Sequence, residues 1–192
     1  MIRHGGVISP VALFVGLVMG GCTRPPQPDP VPPAATATIT PTPDHDGIRE
    51  AAREIMAAAR YATLGTLGPD GNPQARVVDP FAPDSNFVVM VATNARSRKT
   101  AEIATNPQVS LLYFDAAGGS YVTVIGRAEL VGDPAIKAQW WKEEWAAFYQ
   151  DRNLGDDYLL IRVRPTRLEI SSERHGIRND SLTWRPTLIA IP

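Results

Sequence analysis

A hydroxyl and two positive charges, at Ser97, Arg98 and Lys99, form the part of this chain best suited to bind an anion. Residues Phe87 to Val91 are predicted to form a buried strand, and Ser97 is a good N-cap for a helix from Lys99 to Ala104. The amides of the helix start, the hydroxyl and the two cations would then meet in one small volume, which suits a phosphate monoester. The alternative is that both cations are solvated charges at an ordinary helix start.

Motifs on both sides of this cluster resemble those of a known family. Thr93 and Asn94 precede it, an Asn-Pro turn follows at Asn106, and a Val-x-Gly-x-Ala-Glu strand ends at Glu129. In order and spacing these motifs resemble the pyridoxamine 5′-phosphate oxidase-like family, the flavin-binding split barrels. The resemblance covers about residues 48–171. It implies an α+β fold that is mainly β, a split β-barrel with peripheral helices.

The pattern of elements agrees with such a fold, because several short strands occur without a regular alternation of strand and helix. A first helix is predicted from Asp44 or Asp46, with apolar residues at helical spacing. A later helix is predicted to begin at Pro134 and to continue through Trp145 and Phe148. Its tryptophans, Trp140, Trp141 and Trp145, are interpreted as core or dimer contacts rather than as ligand contacts. Strands are predicted over 157–163 and 167–171.

The resemblance implies that the chain binds FMN, with deazaflavin or heme as the alternative cofactors. The residues that match the family's cofactor contacts are Arg76, Val77, Thr93, Asn94, Ser97, Arg98, Lys99 and Tyr121. Arg76, Arg98 and Lys99 could together neutralise a phosphate dianion. Taken alone, Arg76 could also be a strand arginine that faces solvent.

Three departures from the oxidase pattern bear on the activity. Where this chain has Phe81, the oxidase has a lysine. Where this chain has Tyr121, the oxidase has a glutamine that contacts the flavin, and near the position of Ser171 it has a tryptophan. We therefore expect a flavin-dependent oxidoreductase that acts on a small organic substrate other than pyridoxamine phosphate. The alternative is a non-catalytic lipoprotein that binds flavin, deazaflavin or heme. His175 is expected to be a solvated loop residue.

Composition sets the size of the core and the class of partners. The 192 residues are 44% hydrophobic, which is enough for one sizeable core. The net charge of −1 gives no reason to expect a nucleic-acid partner. The resemblance implies a homodimer, because the family builds its flavin site across a dimer interface.

The N-terminal part resembles a bacterial lipoprotein signal. Residues 1–21 contain a short apolar run after Arg3, and the lone cysteine, Cys22, follows directly as the expected lipidation site. Residues 22–43 are rich in Pro, Thr and Ala and are predicted to be an extended linker. The folded domain is then 44–192, tethered to a membrane of the bacterial cell envelope. An ordinary signal peptide or an uncleaved anchor is the alternative.

Overall fold

The computed structural model describes residues 44–192, which fold as a mainly antiparallel β domain with few helices. Its elements are α1 (His45–Ala59), β1 (Ala62–Leu67), β2 (Pro73–Val78), β3 (Val89–Asn94), α2 (Arg98–Thr105), β4 (Gln108–Asp115), β5 (Ser120–Val131), α3 (Pro134–Gln139), β6 (Tyr158–Ser171) and β7 (Thr187–Ala190). The predicted signal segment, Cys22 and the linker lie outside the described residues. Within 44–192, no helix combines the length and apolar character needed to cross a bilayer.

Helix α1 covers the inner face of the sheet. Its N-cap is Asp44, whose carboxylate accepts a hydrogen bond from the amide of Gly47 at 2.9 Å. Of the residues at the predicted helical spacing, Ile48, Ala52, Ile55 and Met56 are buried and Ala59 is partly buried, and Ala51 joins this stripe. It packs against the inward-facing residues of β1, β4 and β5, so that one core holds the helix and the sheet together.

The sheet curls until its two edge strands meet. The strand order is β2-β1-β4-β5-β6-β3, with β7 paired to β6, and every pairing is antiparallel. Although β2 and β3 are at opposite ends of this order, an isolated bridge joins Pro80 to Val91, and the Phe81 amide donates to the Met90 carbonyl at 2.9 Å. The barrel is therefore closed at one point, and beyond it the two edges separate. We call this opening the seam.

The long strand β6 replaces the two strands that the sequence predicts over 157–163 and 167–171. It continues through Pro165, because β5 pairs along it with a register shift between Ile125 and Gly126. A Cβ atom at Gly126 would clash with the carbonyl oxygen of Arg164, so glycine allows the close approach of the two backbones there. One half of β6 pairs with β3 and the other with β7.

Aromatic side chains form a second packed cluster around Tyr158, at the start of β6. The Tyr158 ring lies 5.2 Å from Trp141 and 4.9 Å from Tyr149, both edge to face. Trp140 and Trp145 pack against the same cluster, so the predicted packing role of the tryptophans is found, although Trp145 also lines the cavity described below.

The prediction of one continuous helix through Trp145 is wrong. Helix α3 ends at Gln139, and the Trp140 carbonyl accepts a hydrogen bond from the Tyr158 hydroxyl at 2.7 Å. The chain continues in two 3-10 turns, Glu143–Ala147 and Arg152–Leu154. The tertiary contacts to Tyr158 therefore end the helix, even though the aromatic residues beyond Gln139 are spaced as in a helix.

The predicted strand from Phe87 is also displaced. Phe87 has a φ of 61° and lies in a turn in which the Asp84 carboxylate accepts hydrogen bonds from the amides of Asn86 and Val88. Its buried ring lies under the guanidinium of Arg53 at 4.2 Å. Strand β3 therefore begins two residues later and extends to Asn94, which brings Thr93 and Asn94 to the seam.

Candidate functional site

The seam contains a cavity of about 390 Å³ between the end of β2 and the end of β3. We call it the seam cavity. Its lining residues are Val77, Val78, Asp79, Ala92, Thr93, Asn94, Lys99, Trp145, Phe148 and Tyr149. The end of β2 and the residue after it contribute Val77, Val78 and Asp79, the end of β3 contributes Ala92, Thr93 and Asn94, and the remaining lining is mostly aromatic.

The turn between β3 and α2 places the predicted anion-binding residues beside this cavity. The Asn94 side chain accepts from the Arg96 amide at 2.8 Å, and the Thr100 hydroxyl donates to the Ser97 carbonyl at 2.6 Å. Ser97 is the N-cap residue, but its hydroxyl makes no capping hydrogen bond and lies 3.3 Å from the Thr93 hydroxyl. Two hydroxyls are thus held at the start of a helix, where amides and dipole favour an anion.

A buried carboxylate, Glu102, organises the charges next to the turn. It is 2% exposed and lies 2.7 Å from the guanidinium of Arg76 and 3.0 Å from that of Arg98. The Thr66 hydroxyl donates to the same carboxylate at 2.6 Å, and Arg76 in turn donates to Thr66. Arg76 is therefore a paired arginine with an 18% exposed side chain, and the interpretation of it as a solvent-facing residue is wrong.

The pKa of Glu102 reflects this pairing. Burial alone would raise the pKa, but the hydrogen bond from Thr66 and the positive charges of Arg76 and Arg98 hold it below its ordinary value. The carboxylate is ionised at neutral pH and offsets part of the charge of the two arginines. Together, the three cations near the turn and the Glu102 carboxylate therefore carry a net charge of about +2.

Lys99 is the cation that this network leaves available. It lines the seam cavity and is half-buried, and its pKa is lowered by desolvation and by the nearby Arg76 charge, although Glu102 acts in the opposite direction. Among the ion pairs formed within 44–192, none includes Lys99. A bound anion would relieve the repulsion from Arg76 and restore the charged form of the lysine.

Aromatic residues form the cover of the cavity, a feature that sequence reasoning missed. Trp145, Phe148 and Tyr149 line the cavity together with Thr93, and Phe148 is 75% exposed. Tyr149 is partly buried, which together with the Asp157 carboxylate raises its pKa. These side chains offer flat apolar surfaces on which a planar ring could stack.

Most of the predicted contact residues meet here. The structure brings together Arg76, Val77, Thr93, Asn94, Ser97, Arg98 and Lys99 around the seam. Tyr121 stands apart, since it is on β5 and pairs with Phe114 and Ser171. Sequence reasoning missed Thr66 and Glu102; the one available signal was the spacing of four residues between Arg98 and Glu102 on a helix.

His175 is not the solvated residue that the sequence suggests. Its ring is 18% exposed, with Nδ1 2.7 Å from the Ser172 hydroxyl and Nε2 2.9 Å from the Glu54 carboxylate. Ser172 is fully enclosed and also contacts Ser120 at 2.7 Å, so no substrate could reach it. These contacts connect α1 to the end of β6 and are structural. Nowhere in 44–192 do three His, Cys, Asp or Glu side chains gather as metal ligands would.

Comparisons with known proteins agree with this architecture. A family model described as Pyridoxamine 5'-phosphate oxidase matches residues 48–172. A pyridoxine/pyridoxamine 5'-phosphate oxidase from Cupriavidus pinatubonensis is 37% identical over 106 residues, which are 55% of this chain and 45% of that protein. The chain thus spans about half the length of this curated relative.

Two solved structures share the fold. One, a pyridoxamine 5'-phosphate oxidase-related, FMN binding protein from Nostoc punctiforme, superposes with a TM-score of 0.55 at 16% identity, over 80% of this chain and 99% of that one. The other, a heme binding protein from Mycobacterium smegmatis, gives 0.50 at 23% identity, over 62% and 52%. The curled antiparallel sheet is therefore a split barrel, as predicted.

Proposed function

The chain belongs to the pyridoxamine 5'-phosphate oxidase family, and from this we propose that it binds FMN at the seam and acts as a flavin-dependent oxidoreductase on a small organic substrate. The observation that carries the proposal is Lys99, a half-buried cation without an ion-pair partner in 44–192, on the wall of a cavity that also has a flat aromatic cover. A phosphate and a planar ring on one molecule would use both features.

The residues at the seam fit the two parts of FMN. The hydroxyls of Thr93 and Ser97, the ammonium of Lys99 and the amides at the start of α2 are the donor set that a phosphate requires. Trp145 and Phe148 would contact the ring. Bound FMN would supply two-electron redox chemistry, while the protein binds and orients it and excludes water from one face.

The substrate is proposed to differ from pyridoxamine phosphate. Where the oxidase has a lysine, this chain has Phe81, whose ring packs 4.8 Å from Trp140 in the aromatic cluster. A phenylalanine cannot form an ion pair with a substrate phosphate. Residue 81 therefore offers no cationic partner to a substrate phosphate, which favours a less charged organic substrate.

A spectroscopic titration tests the proposal. The full chain, purified with FMN added, is expected to hold FMN, and anaerobic NADH or NADPH is expected to bleach its visible absorption, with recovery in air. Failure to bind FMN would refute the flavin site. Bound FMN that neither nucleotide bleaches would favour the non-catalytic alternative.

Heme or deazaflavin binding is the second candidate. It is favoured by the structural likeness to a heme binding protein. The lining of the seam cavity offers no His, Cys or Met to ligate a heme iron. Burial raises the pKa of its one tyrosine, Tyr149, which disfavours the phenolate that would bind iron, so flavin remains the better fit. Titration with heme in the same spectrometer, with a Soret shift as the readout, separates the two.

We also propose that the protein is a homodimer. The outer face of the sheet carries a continuous row across four strands, in which Val77, Thr63, Leu112 and Thr123 are cross-strand neighbours. Val77, Leu112 and the adjacent Phe114 are exposed apolar side chains. A two-fold interface on this face would also bury Tyr121, the cross-strand neighbour of Phe114, and would account for its distance from the other contact residues of its own chain.

Sedimentation equilibrium tests the dimer. The full chain is expected to sediment as a dimer and Phe114→Glu as a monomer, because a charge in an apolar interface is not solvated. Leu154→Glu is the control, since Leu154 is equally exposed but lies outside this face. A monomeric parent protein would contradict the proposal.

Membrane attachment through a lipidated Cys22 is likewise proposed, with the bacterial cell envelope as the location. Cys22→Ser is expected to move the protein from the membrane fraction to the soluble fraction. The reason is that serine lacks the thiol through which the lipid would be attached. Unchanged retention on membranes would contradict the lipid anchor and favour an uncleaved apolar segment.

A further inference from the structure

A second cavity, of about 520 Å³, lies between the C-terminal half of α1 and the segment Asp79–Pro83. We call it the α1 cavity. Tyr113 of β4 forms its floor, on the opposite face of that strand from Leu112 and Phe114. Met56 and Phe81 line its apolar walls, and its volume is in the range of small-molecule sites. It is distinct from the seam cavity and shares only Asp79 with it.

The floor of this cavity has an unsatisfied hydrogen-bonding group. Tyr113 is 2% exposed, and within 44–192 its hydroxyl has no hydrogen-bond partner. Burial raises the pKa of this phenol, so the hydroxyl keeps its proton and remains a donor. A buried hydroxyl without a partner is unfavourable and is uncommon in folded proteins. A ligand atom that accepts this hydrogen bond would remove the penalty.

The rim of the cavity is basic. Arg53 is already engaged, since it donates to the backbone carbonyls of Asp84 and Ser85 at 2.9 Å. Lys142 lies 4.9 Å from the Phe81 ring, and Arg60 lies at the exposed end of α1. Neither Lys142 nor Arg60 belongs to the ion pairs found in 44–192.

One acidic residue, Asp79, lines the α1 cavity together with these three cations. The carbonyls at the end of α1 add a partial negative charge, but it is smaller than the excess of full positive charge. The cavity thus combines a positive rim, apolar walls and a donor at its floor.

From this arrangement we propose that the α1 cavity binds a small aromatic acid with an oxygen opposite its carboxylate. The carboxylate would contact Lys142 at the rim, the ring would pack against Met56 and Phe81, and the distal oxygen would accept the hydrogen bond from Tyr113. The site does not depend on the proposed flavin, because no residue of the phosphate-binding turn lines it.

Calorimetric titration of the full chain without added FMN tests the proposal, with 4-hydroxybenzoate as the probe. Two truncated probes serve as references: benzoate lacks the distal oxygen, and 4-hydroxybenzyl alcohol lacks the charge. The parent protein is expected to bind 4-hydroxybenzoate with a Kd below about 1 mM, and each truncated probe about fivefold to tenfold more weakly.

Two variants assign the contacts. Tyr113→Phe is expected to weaken the binding of 4-hydroxybenzoate to the level of benzoate and to leave the binding of benzoate unchanged. It is also expected to keep or raise the melting temperature, because the lost hydroxyl has no hydrogen-bond partner among the described residues. Lys142→Met is expected to remove the advantage of 4-hydroxybenzoate over the alcohol. Arg185→Met, outside the cavity, is the control for the loss of a charge.

The result that would overturn the proposal is equally specific. Absence of saturable binding of 4-hydroxybenzoate to the parent protein would do so, as would binding that both variants leave unchanged. Because FMN is omitted, these results are independent of whether the seam binds flavin.

Discussion

Glu102→Ala is expected to lower the free energy of unfolding by about 3 kcal/mol, the largest stability effect that we predict for a single side chain near the seam. The carboxylate is 2% exposed, and its removal leaves the largely buried Arg76 without a counter-charge and Thr66 without its acceptor. Urea unfolding of the full chain, followed by circular dichroism, measures the change. Glu129→Ala is the matched control and should cost less than about 1 kcal/mol, because Glu129 pairs with Arg162 at the surface.

The same pair predicts a pH dependence. The pKa of Glu102 in the folded protein is lower than its ordinary value of 4.5, so the folded state binds the proton more weakly than the unfolded state. The stabilisation is therefore fully present above about pH 4.5 and is lost as the pH falls through the folded pKa. The difference in unfolding free energy between the parent and Glu102→Gln should be constant near neutral pH and should shrink in acid. A difference that did not change with pH would rule out an ionised Glu102 in the folded protein.

The parts of the fold that the sequence predicted are those determined by local patterns. The stripe of α1 and the start of α2 after Ser97 depend on neighbouring residues of one helix, and both are found in the structure, although the Ser97 hydroxyl makes no capping hydrogen bond. The predictions that failed depend on distant contacts. Phe87 turns because Asp84 and Arg53 hold it, and the predicted helix after Asp133 ends because Tyr158, from another element, takes the carbonyl of Trp140.

The candidate site shows the same division. Ser97, Arg98 and Lys99 are contiguous, so their combined chemistry is visible in the sequence. Glu102 and Thr66 matter only because the sheet brings β1, β2 and α2 together, and nothing in the sequence pairs Arg76 with either. The aromatic cover was missed because the helical spacing of the tryptophans indicated packing. Trp145 does pack in the aromatic cluster, but it also lines the seam cavity.

Lys99→Ala is expected to weaken the binding of FMN by about 30-fold to 100-fold and to leave the binding of riboflavin unchanged. The reason is that a charge-assisted hydrogen bond to phosphate contributes about 2–3 kcal/mol, and riboflavin is FMN without the phosphate. Arg98→Ala should have a smaller effect, since Arg98 already pairs with Glu102 at 3.0 Å. Quenching of flavin fluorescence in titrations of the full chain with both flavins measures the four affinities for parent and Lys99→Ala.

The control for local charge is Arg96→Ala, in the same turn but outside the lining of the seam cavity.

If Lys99 binds the phosphate as an ammonium, the FMN affinity of the parent should also decrease as the pH is raised. The decrease should begin at a lower pH than an ordinary lysine pKa of 10.5 would predict, because the pKa of Lys99 in the free protein is lowered. Riboflavin affinity should not follow that change. Equal losses for both flavins would mean that Lys99 supports the cavity rather than the phosphate, and unchanged FMN binding in both Lys99→Ala and Arg98→Ala would refute the phosphate site at the start of α2.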